Sequence, residues 1–409
     1  MRHHTHDVII IGGGMVGAML AASFGQRGLQ TALVEMQEPA PFSPDDPPDL
    51  RVSAISIASQ RMLEAVGAWP AVEDMRLCPY RRMLVWDGEG RGETLFDSGD
   101  IYEPVLGNIV ENRVTQLALL SVVKSLDSVD WLCPHRITAL STDTDRASVT
   151  LDNGQVLSAA LIVGADGARS QVRDLAGIQV ERQPYGQHAL VATVSTELPQ
   201  QDITWQRFVP DGPQAFLPLP GHQASMVWYH NEDNVARLKA LPEAAFIAEM
   251  QATFPQRLGA ITQVIERGSF PLIKSHAASY TGQRLVLVGD AAHTIHPLAG
   301  QGVNLGFMDA GELVDQVLHA HRIGRDIGSA RVLRAYERAR RGYNRIMIGT
   351  MDVFHHGFAD QKLPVKLLRN AALDVANRVK PLKHFAMRYA MGLAGDLPSL
   401  ARGQLPDGP

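Results

Sequence analysis

The fold of this chain is decided near its N-terminus by the stretch Asp7-Val8-Ile9-Ile10-Ile11-Gly12-Gly13-Gly14-Met15-Val16-Gly17. The β-branched run before the glycines predicts a buried parallel strand. The alanine-rich segment from Met15 to Arg27 predicts a helix, and Thr31 to Glu35 predicts a second strand. Strand, loop, helix and strand follow one another, which is the context that a G-x-G-x-x-G nucleotide-binding loop requires.

The three glycines of this loop have separate physical tasks. Gly12 permits a tight turn, Gly14 lets a pyrophosphate approach the backbone, and Gly17 lets the helix pack close to the strand. The helix start offers free N–H groups to phosphates, and an acid ending the second strand is placed to accept from free ribose hydroxyls. A glycine-rich turn without a ligand is the alternative. We predict that the cofactor is bound here by Gly12, Gly14, Met15, Val16, Gly17 and Glu35.

Two further motifs follow buried strands later in the chain. Asp166 stands in Gly-Ala-Asp-Gly after the first of them, where a simple polar turn is the alternative to a site. Asp290 stands in Gly-Asp-Ala-Ala-His after the second, and its carboxylate is placed to bind a ribityl hydroxyl; a cap-like turn is the alternative. Gly300-Gln301-Gly302 is placed to aim backbone N–H groups at a flavin pyrimidine ring. The three motifs in this order predict that a whole FAD is bound, and so a redox enzyme.

Composition limits the classes of protein. The chain has 409 residues, 45% of them hydrophobic, and a formal charge of -5, which excludes a global nucleic-acid footprint. Two cysteines, Cys78 and Cys133, are typical of a reducing cytoplasm, and no metal site is predicted from the spacing of ligands. Val8 to Ile11 runs into glycines rather than a cleavage site, so neither a signal peptide nor a membrane span is expected.

The succession of elements predicts an α/β fold with an α+β insert. We expect a discontinuous Rossmann-like FAD domain from residues 1–78, 104–183 and 276–340, and a β-rich substrate domain from 79–103 and 184–275. A C-terminal helical region (341–395) and a tail (396–409) follow. Within these, we predict a helix over 53–66, a single helix over 243–254 in the insert, and a helix from about Gly302.

The three motifs resemble those of the class A flavoprotein aromatic hydroxylases, typified by para-hydroxybenzoate hydroxylase. Over nearly the whole chain, the resemblance is to the hydroxylases of ubiquinone biosynthesis within that class. The segments that carry it are RVSAIS at 51–56, PYRR at 79–82, GNIVEN at 107–112, WQRF at 205–208, PDGP at 210–213, AFLPL at 215–219 and GDAAHTIHPLAGQG at 289–302. This resemblance implies an FAD domain of the para-hydroxybenzoate hydroxylase type.

The resemblance adds four cofactor-binding residues to those of the motifs. It implies that Arg51 lies near the FAD phosphates or ribose, with a surface salt bridge as the alternative. It implies that Arg113 and Gln116 touch the cofactor, with an ordinary solvated helix start as the alternative. Pro297 corresponds to a proline that packs beside the flavin ring.

The implied activity is hydroxylation of the ring of a polyprenyl benzoquinol by FAD and O2, through a flavin C4a-hydroperoxide. A different ring position, or a polyprenylphenol substrate, is the nearest alternative; a flavin oxidoreductase without oxygen insertion and a membrane assembly subunit are the others. The electron donor stays open between NAD(P)H bound transiently at the surface and another donor. No catalytic base is assigned, because His293 and His296 are read as structural hydrogen-bonding histidines.

The segment from Lys362 to Gly392 is basic and amphipathic. Apolar residues such as Leu367 and Leu373 are interleaved with its cations. Such a helix can lie on an anionic membrane surface, which would give a cytoplasmic protein peripheral on the inner face of the membrane. Packing on the FAD domain and docking to a ubiquinone-biosynthesis complex are the alternatives.

Overall fold

The computed structural model describes residues 5–296, 302–359 and 362–408. Its first strand, β1 (His6–Ile11), leads through the glycines into helix α1 (Met15–Gly25), and the chain returns in β2 (Thr31–Val34). β2 pairs in parallel with β1, with Thr31 opposite Val8. The strand–loop–helix–strand unit predicted from the sequence is therefore present.

Short strands and helices alternate along the rest of the chain. The further strands are β3 (Val52–Ser56), β4 (Cys78–Tyr80), β5 (Arg82–Asp87), β6 (Glu93–Asp97), β7 (Gly107–Glu111), β8 (Val129–Leu132), β9 (Ile137–Thr142), β10 (Ala147–Leu151), β11 (Val156–Gly164), β12 (Val180–Thr196), β13 (Ile203–Val209), β14 (Gly212–Leu219), β15 (Gln223–His230), β16 (Ile261–Ala277), β17 (Thr281–Gly282), β18 (Leu285–Leu287) and β19 (His293–Thr294). The further helices are α2 (Ile57–Ala65), α3 (Trp69–Met75), α4 (Asn112–Val123), α5 (Gln171–Leu175), α6 (Glu232–Ala240), α7 (Glu243–Thr253), α8 (Gly302–Arg322), α9 (Ala330–Ala359), α10 (Leu363–Arg378) and α11 (Lys380–Ala390).

The first sheet joins segments that are far apart in sequence. Within the described residues it has eight strands, ordered β17-β18-β11-β1-β2-β8, with β10 and β9 continuing from β11. β2, β1, β11 and β18 run parallel to one another. The turns that follow β1, β11 and β18 therefore meet at one edge of the sheet, where ligands of such sheets bind. Helix α1 packs against this sheet and α8 packs against α1, and residues of all three belong to one large buried cluster.

The second sheet is mostly antiparallel. In the described part of the chain its eight strands are ordered β19-β16-β12-β15-β14-β13-β5-β6, and only β13 and β5 pair in parallel. A third sheet, β3-β7-β4, has three described strands. The mixed α/β fold class predicted from the sequence is confirmed, whereas the domain boundaries stay a prediction.

The C-terminal helices pack on the second sheet. Phe358 of α9 stacks on Phe208 of β13 at 4.0 Å between ring centroids, and both belong to a buried cluster with Val85 and Leu373. Among the described residues, no helix combines the length and apolarity needed to cross a bilayer.

Two expectations about helices are wrong. The segment 53–66 begins as a strand, because β3 pairs with β7, and α2 starts only at Ile57, where the Ser56 hydroxyl accepts the Ser59 N–H at 3.3 Å. The insert contains α6 as well as α7. The sequence does not indicate α6 clearly, because the helix is largely charged and its apolar stripe is short, consisting of Val235 and Leu238.

Candidate active site

A cavity of about 1890 Å³ extends from the edge of the first sheet to one face of the second. Its first wall includes Gly14, Met15 and Val16, the turn at Gly289 and Asp290, and the start of α8 at Gly302. Its second wall comprises residues of β5, β6, β12, β13, β14 and β15, and residues of α9, α10 and α11 line its far end. The segments that carry the three sequence motifs thus meet at a single space.

The glycine loop has little room on the protein side and open space on the cavity side. A Cβ atom on Gly12, whose φ is +106°, would lie 2.4 Å from the carbonyl oxygen of Ala165. A Cβ atom on Gly17 would lie 1.8 Å from the carbonyl oxygen of Gly12. At Gly14, by contrast, a Cβ atom would meet no described heavy atom within 4 Å. The packing of the protein therefore requires Gly12 and Gly17, and Gly14 leaves its backbone open to a ligand.

Two predicted residues hold this loop in position. The Glu35 carboxylate accepts the Gly13 N–H at 2.7 Å, and it also accepts the N–H groups of Met36 and Gln37. The Gln116 side-chain amide donates to the Gly13 carbonyl oxygen at 2.9 Å. Both side chains thus lie beside the loop that would receive the pyrophosphate, and their contact with the cofactor stays a prediction.

The two predicted arginines have different surroundings. Arg51 is exposed and lines the cavity. Arg113 is half-buried, and its guanidinium group donates to both carboxylate oxygens of Asp49, at 3.0 and 2.9 Å, and to the Pro41 carbonyl oxygen. These bonds fasten the loop before β3 to α4. Since Arg113 is not among the described residues that line the cavity, its role at the cofactor remains a prediction.

Asp290 opens onto the cavity at the end of β18. Desolvation raises the pKa of its carboxyl group, and electrostatic interactions with His293 and Arg51 oppose this rise. Hydroxyl donors from a ligand would relieve this desolvation. Asp290 is thus suited to bind the hydroxyl groups of a ribityl chain.

A buried carboxylate, Asp309 of α8, supports the turn that carries Asp290. It accepts the Gly289 N–H at 3.1 Å and bonds to the His293 ring at 2.6 Å. Arg340 and Asn344 donate to its other oxygen at 2.8 and 3.0 Å. Although burial alone raises it, His293 and Arg340 together lower the pKa of Asp309 well below its usual range. This arrangement agrees with the structural role expected for His293.

Asp166 caps a helix rather than lining the cavity. One of its carboxylate oxygens accepts the Val172 N–H of α5 at 3.0 Å, and the other is buried without a hydrogen-bond partner among the described residues. Burial raises the pKa of this carboxyl group. Its neighbours Ala165, Gly167 and Arg169 do line the cavity. Asp166 therefore shapes the turn, and any direct bond to a cofactor stays a prediction.

Three predicted residues, Pro297, Gly300 and Gln301, lie outside the described residues. The segment enters the described structure again at Gly302, the first residue of α8, which lines the cavity. Of the segment 300–302 that is predicted to face the flavin ring, the structure thus describes only Gly302, at the start of α8.

The second wall contains residues that the sequence analysis missed. Polar residues that line it include Thr204 and Gln206 of β13 and Ser225 of β15, and each is nine-tenths or more buried. Their signal in the sequence was polar residues at alternate positions within strands, which is also the pattern of an ordinary solvated sheet face. Tyr229 lines the same wall, and burial raises the pKa of its phenol above the usual range.

The geometry fits FAD. The open backbone at Gly14, the carboxylate of Asp290 and the helix start at Gly302 lie along one cavity, and its volume leaves room for a second molecule. The glycine loop would hold the pyrophosphate, Glu35 the ribose and Asp290 the ribityl chain. A parallel sheet with this motif order, joined to a largely antiparallel sheet across a cavity, defines the class of flavin-dependent aromatic monooxygenases.

Sequence comparison gives the family directly. The chain belongs to the family of the FAD binding domain, whose sequence model matches residues 5–348. It is 43% identical over 393 residues to 3-demethoxyubiquinol 3-hydroxylase of Escherichia coli (strain K12), covering 96% of this chain and 100% of that protein. It is 38% identical over 400 residues to ubiquinone hydroxylase UbiL of Rhodospirillum rubrum, covering 97% and 92%. The predicted family and the predicted FAD cofactor are confirmed.

A solved structure confirms the fold. The p-nitrophenol 4-monooxygenase PnpA from Pseudomonas putida DLL-E4 superimposes with a TM-score of 0.78 at 17% identity, over 96% of this chain and 99% of that one. At this identity the likeness concerns the fold alone. By family, the chain is thus an FAD-dependent monooxygenase.

Proposed function

We propose that this protein hydroxylates the ring of a polyprenyl benzoquinol in ubiquinone biosynthesis, using O2. The observation that carries the proposal is the 43% identity to 3-demethoxyubiquinol 3-hydroxylase over the full length of that protein. The same identity makes the demethoxy-quinol the first substrate to test. The shape of the cavity supports this choice, because it offers space for a ring and for a long apolar tail.

When bound, FAD supplies the redox chemistry that activates O2 with electrons from a donor. The residues of the chain bind and orient the cofactor and the substrate, and they shield the reacting atoms from water. The glycine loop would hold the cofactor's pyrophosphate and Asp290 its ribityl chain, while Asp309 holds the turn at Gly289 in place. The ring of the substrate lies against an apolar wall that keeps water away from the reacting atoms. This wall includes Met83, Val85, Phe96, Phe208, Leu217 and Val227.

The prenyl tail leaves the cavity between the C-terminal helices. Val353 of α9 and Leu382 and Phe385 of α11 line the cavity and are also exposed, by 73%, 49% and 60%. The cavity thus opens to solvent through apolar side chains. A polyprenyl tail is apolar, so it matches this opening.

The face around this opening binds an anionic membrane surface. Leu363 and Leu367 of α10 are exposed by 68% and 64%, although they do not line the cavity. The same C-terminal segment carries exposed cations at Lys362, Arg378, Lys380 and Arg388. Apolar side chains within a basic rim are the pattern of a surface that inserts shallowly into a bilayer. The substrate would pass from the lipid directly into the cavity.

Vesicle binding tests this surface. The double variant Leu363→Asp/Leu367→Asp should lose sedimentation with vesicles that contain phosphatidylglycerol and should retain its FAD. Leu198→Asp, at a leucine exposed by 46% outside the C-terminal helices, is the matched control and should still sediment. Equal sedimentation of the double variant and Leu198→Asp would contradict the proposed membrane-binding surface and would favour docking to a partner protein.

The reaction itself is tested by lipid mass spectrometry of quinones in a strain that lacks this protein, grown in air. Accumulation of the demethoxy-quinone, restored to ubiquinone by the wild-type chain but not by Gly14→Val, is the expected result. Accumulation of an earlier intermediate would move the reaction to another ring position or to a polyprenylphenol. Unchanged ubiquinone would contradict the proposal. Adding NADH or NADPH to the purified protein under air tests the donor, through the rate of nucleotide oxidation.

A further inference from the structure

The exposed side of helix α9 carries a line of arginines. Arg331, Arg338 and Arg345 follow one another at a heptad spacing, and Arg334 lies between the first two, so all four project from one side of the helix. Each of them is exposed, and the structure describes no hydrogen bond or ion pair for their side chains. Between Arg331 and Arg345, the other exposed residues are alanine and glycine. We call these four arginines the arginine face.

The charge of the arginine face is not neutralised by the described residues of the chain. Between residues 330 and 345 the sequence contains one acid, Glu337, which is half-buried. Its carboxylate accepts the Tyr280 N–H and the Thr281 hydroxyl, each at 2.9 Å, and lies 3.7 Å from Arg341. Like charges three or four residues apart destabilise a helix. The formal charge of the chain is -5, so general basicity does not explain this face, and an anionic partner would compensate it.

Apolar residues continue the exposed side of α9 toward the opening of the cavity. Ile346 is 63% exposed, and Val353, which lines the cavity, is exposed as well. With about 3.6 residues per turn, both lie between the direction of Arg338 and that of Tyr343. Tyr343 in turn faces α11, because its ring centroid lies 5.6 Å from that of Tyr389. The arginine face and the opening between α9 and α11 therefore adjoin each other.

A bilayer with anionic lipids fits both parts of this side of α9. The planar guanidinium group of arginine binds phosphate oxygens in pairs, and anionic head groups attract cations to the membrane surface. Exposed apolar side chains beside such cations insert into the boundary between head groups and acyl chains. The acidic surface of a protein would match the arginines, but it offers nothing to Ile346 and Val353. Since α9 has 30 residues, it presents a side about 45 Å long.

We propose that the arginine face binds the phosphate groups of anionic lipids, so that α9 lies flat on the bilayer and the opening at Val353 faces the lipid. The inference rests on the proposed function and deepens it, because it adds a second contact to the membrane-binding surface at Leu363 and Leu367. A single contact leaves the molecule free to tilt on the membrane. The second contact fixes the direction in which the cavity opens.

The test compares the triple variant Arg331→Gln/Arg338→Gln/Arg345→Gln with the charge-matched control Arg136→Gln/Arg146→Gln/Lys239→Gln. The three control residues are exposed and belong to none of the C-terminal helices α9, α10 and α11. Glutamine has nearly the helix propensity of arginine, so α9 should stay folded. Binding is measured by sedimentation with two kinds of vesicle, one of phosphatidylcholine alone and one of phosphatidylcholine and phosphatidylglycerol in equal parts.

We expect the arginine variant to keep its FAD and to bind the phosphatidylglycerol vesicles on the order of 100-fold more weakly than wild type, since each arginine near an anionic surface contributes about fivefold. The control should bind as wild type, because charges more than a Debye length from the membrane are screened. Wild type should bind the vesicles of phosphatidylcholine alone only weakly.

The outcomes separate this inference from the proposals on which it rests. If the arginine variant and the control bind equally, the inference is wrong, whereas loss of binding in Leu363→Asp/Leu367→Asp would still support the surface at α10. If wild type binds neither kind of vesicle, both membrane contacts are wrong, and an acidic protein becomes the favoured partner of the arginines. The quinone profile of the deletion strain tests the hydroxylation separately, so a failure of the reaction and a failure of the arginine face are distinguishable.

Discussion

At the scale of single residues, the glycine loop separates space that the protein fills from space that it leaves to a ligand. Gly17 is required because a Cβ atom there would overlap the backbone of Gly12, whereas a Cβ atom on Gly14 would enter the cavity. Gly14 also has ordinary extended dihedral angles, φ −67° and ψ −177°. A larger residue at Gly14 should therefore affect the cofactor and leave the fold intact.

The first prediction compares two loop variants. Gly14→Val should bind no FAD and should change the unfolding free energy of the cofactor-free protein by less than about 1 kcal/mol. Gly17→Ala should lower that free energy by about 3 kcal/mol or more, since backbone must move to admit the methyl group. Flavin absorbance after gel filtration and urea unfolding are the measurements. Stoichiometric FAD in purified Gly14→Val would contradict this placement of the pyrophosphate.

The second prediction concerns Asp309 and pH. Its folded-state pKa is lowered, so its ionised form stabilises the fold above the unfolded pKa of about 3.9, and this contribution is lost as pH falls through the folded value. Asp309→Asn leaves Arg340 buried without its counter-charge and should cost about 3–5 kcal/mol at pH 7.

Urea unfolding from pH 7 to pH 3 tests whether the stabilisation by Asp309 is lost as the pH falls. The difference in unfolding free energy between wild type and Asp309→Asn should be constant above about pH 5 and should shrink below about pH 4. The exposed Asp74→Asn variant serves as control and should show no such narrowing. A difference that does not depend on pH would mean that the charge of Asp309 is unimportant.

At the scale of elements, α10 is fastened to the second sheet by one buried ion pair. The Arg369 guanidinium group donates to both carboxylate oxygens of Asp87, at 2.7 and 3.1 Å, and the two side chains are 6% and 1% exposed. Burial opposes the ionisation of Asp87, but the bonds from Arg369 and from the Glu89 N–H still lower its pKa. Residues that read as a basic stripe in the sequence thus include a structural cation.

The third prediction follows from this pair. Arg369→Ala leaves the Asp87 carboxylate buried without its counter-charge and should lower the unfolding free energy by about 3–5 kcal/mol. Lys366→Ala removes a partly exposed bond to Glu89 on the same helix and should cost less than about 1 kcal/mol. Urea unfolding and chymotrypsin cleavage within residues 362–392 are the measurements. Equal effects of the two variants would exclude Arg369 as the main anchor of α10.

Element boundaries depended on partners that the sequence does not display. The strand β3 is stabilised by pairing with β7, more than 50 residues away. Because the local sequence does not show this pairing, it predicts the start of a helix there. α6 was missed because only Val235 and Leu238 of its nine residues are buried. By contrast, β1, β2 and α1 were predicted correctly, since nearly all of their residues are buried and their composition shows it.

At the scale of the whole molecule, the cavity exists only because two sheets meet across it. The strands of the first sheet come from three separated segments, and the turns that follow β1, β11 and β18 converge at one edge. A ligand that bridges this edge and the second sheet contacts parts of the chain nearly 300 residues apart, from Gly14 to Gly302. Such a ligand should stabilise the whole fold.

The fourth prediction is that FAD raises the thermal midpoint in a concentration-dependent way. A ligand present at about 1000 times its dissociation constant adds about 4 kcal/mol to the native state, which corresponds to several degrees for a protein of this size. Differential scanning fluorimetry of cofactor-depleted protein with increasing FAD measures the shift. Gly14→Val should show no shift of its thermal midpoint. A wild-type midpoint that does not change with FAD concentration would contradict the assignment of the cavity to FAD.

The sequence by itself determined the class of fold and the cofactor, because local rules govern both, and it indicated the family through a resemblance that extends over nearly the whole chain. A glycine loop between a buried strand and a helix, and carboxylates at strand ends, are written in consecutive residues. The tertiary structure alone decided which side chains face the cavity. Arg113 donates to Asp49, and Asp166 accepts an N–H from the first turn of α5. Those outcomes depend on strand register and on contacts between distant segments, which no local pattern encodes.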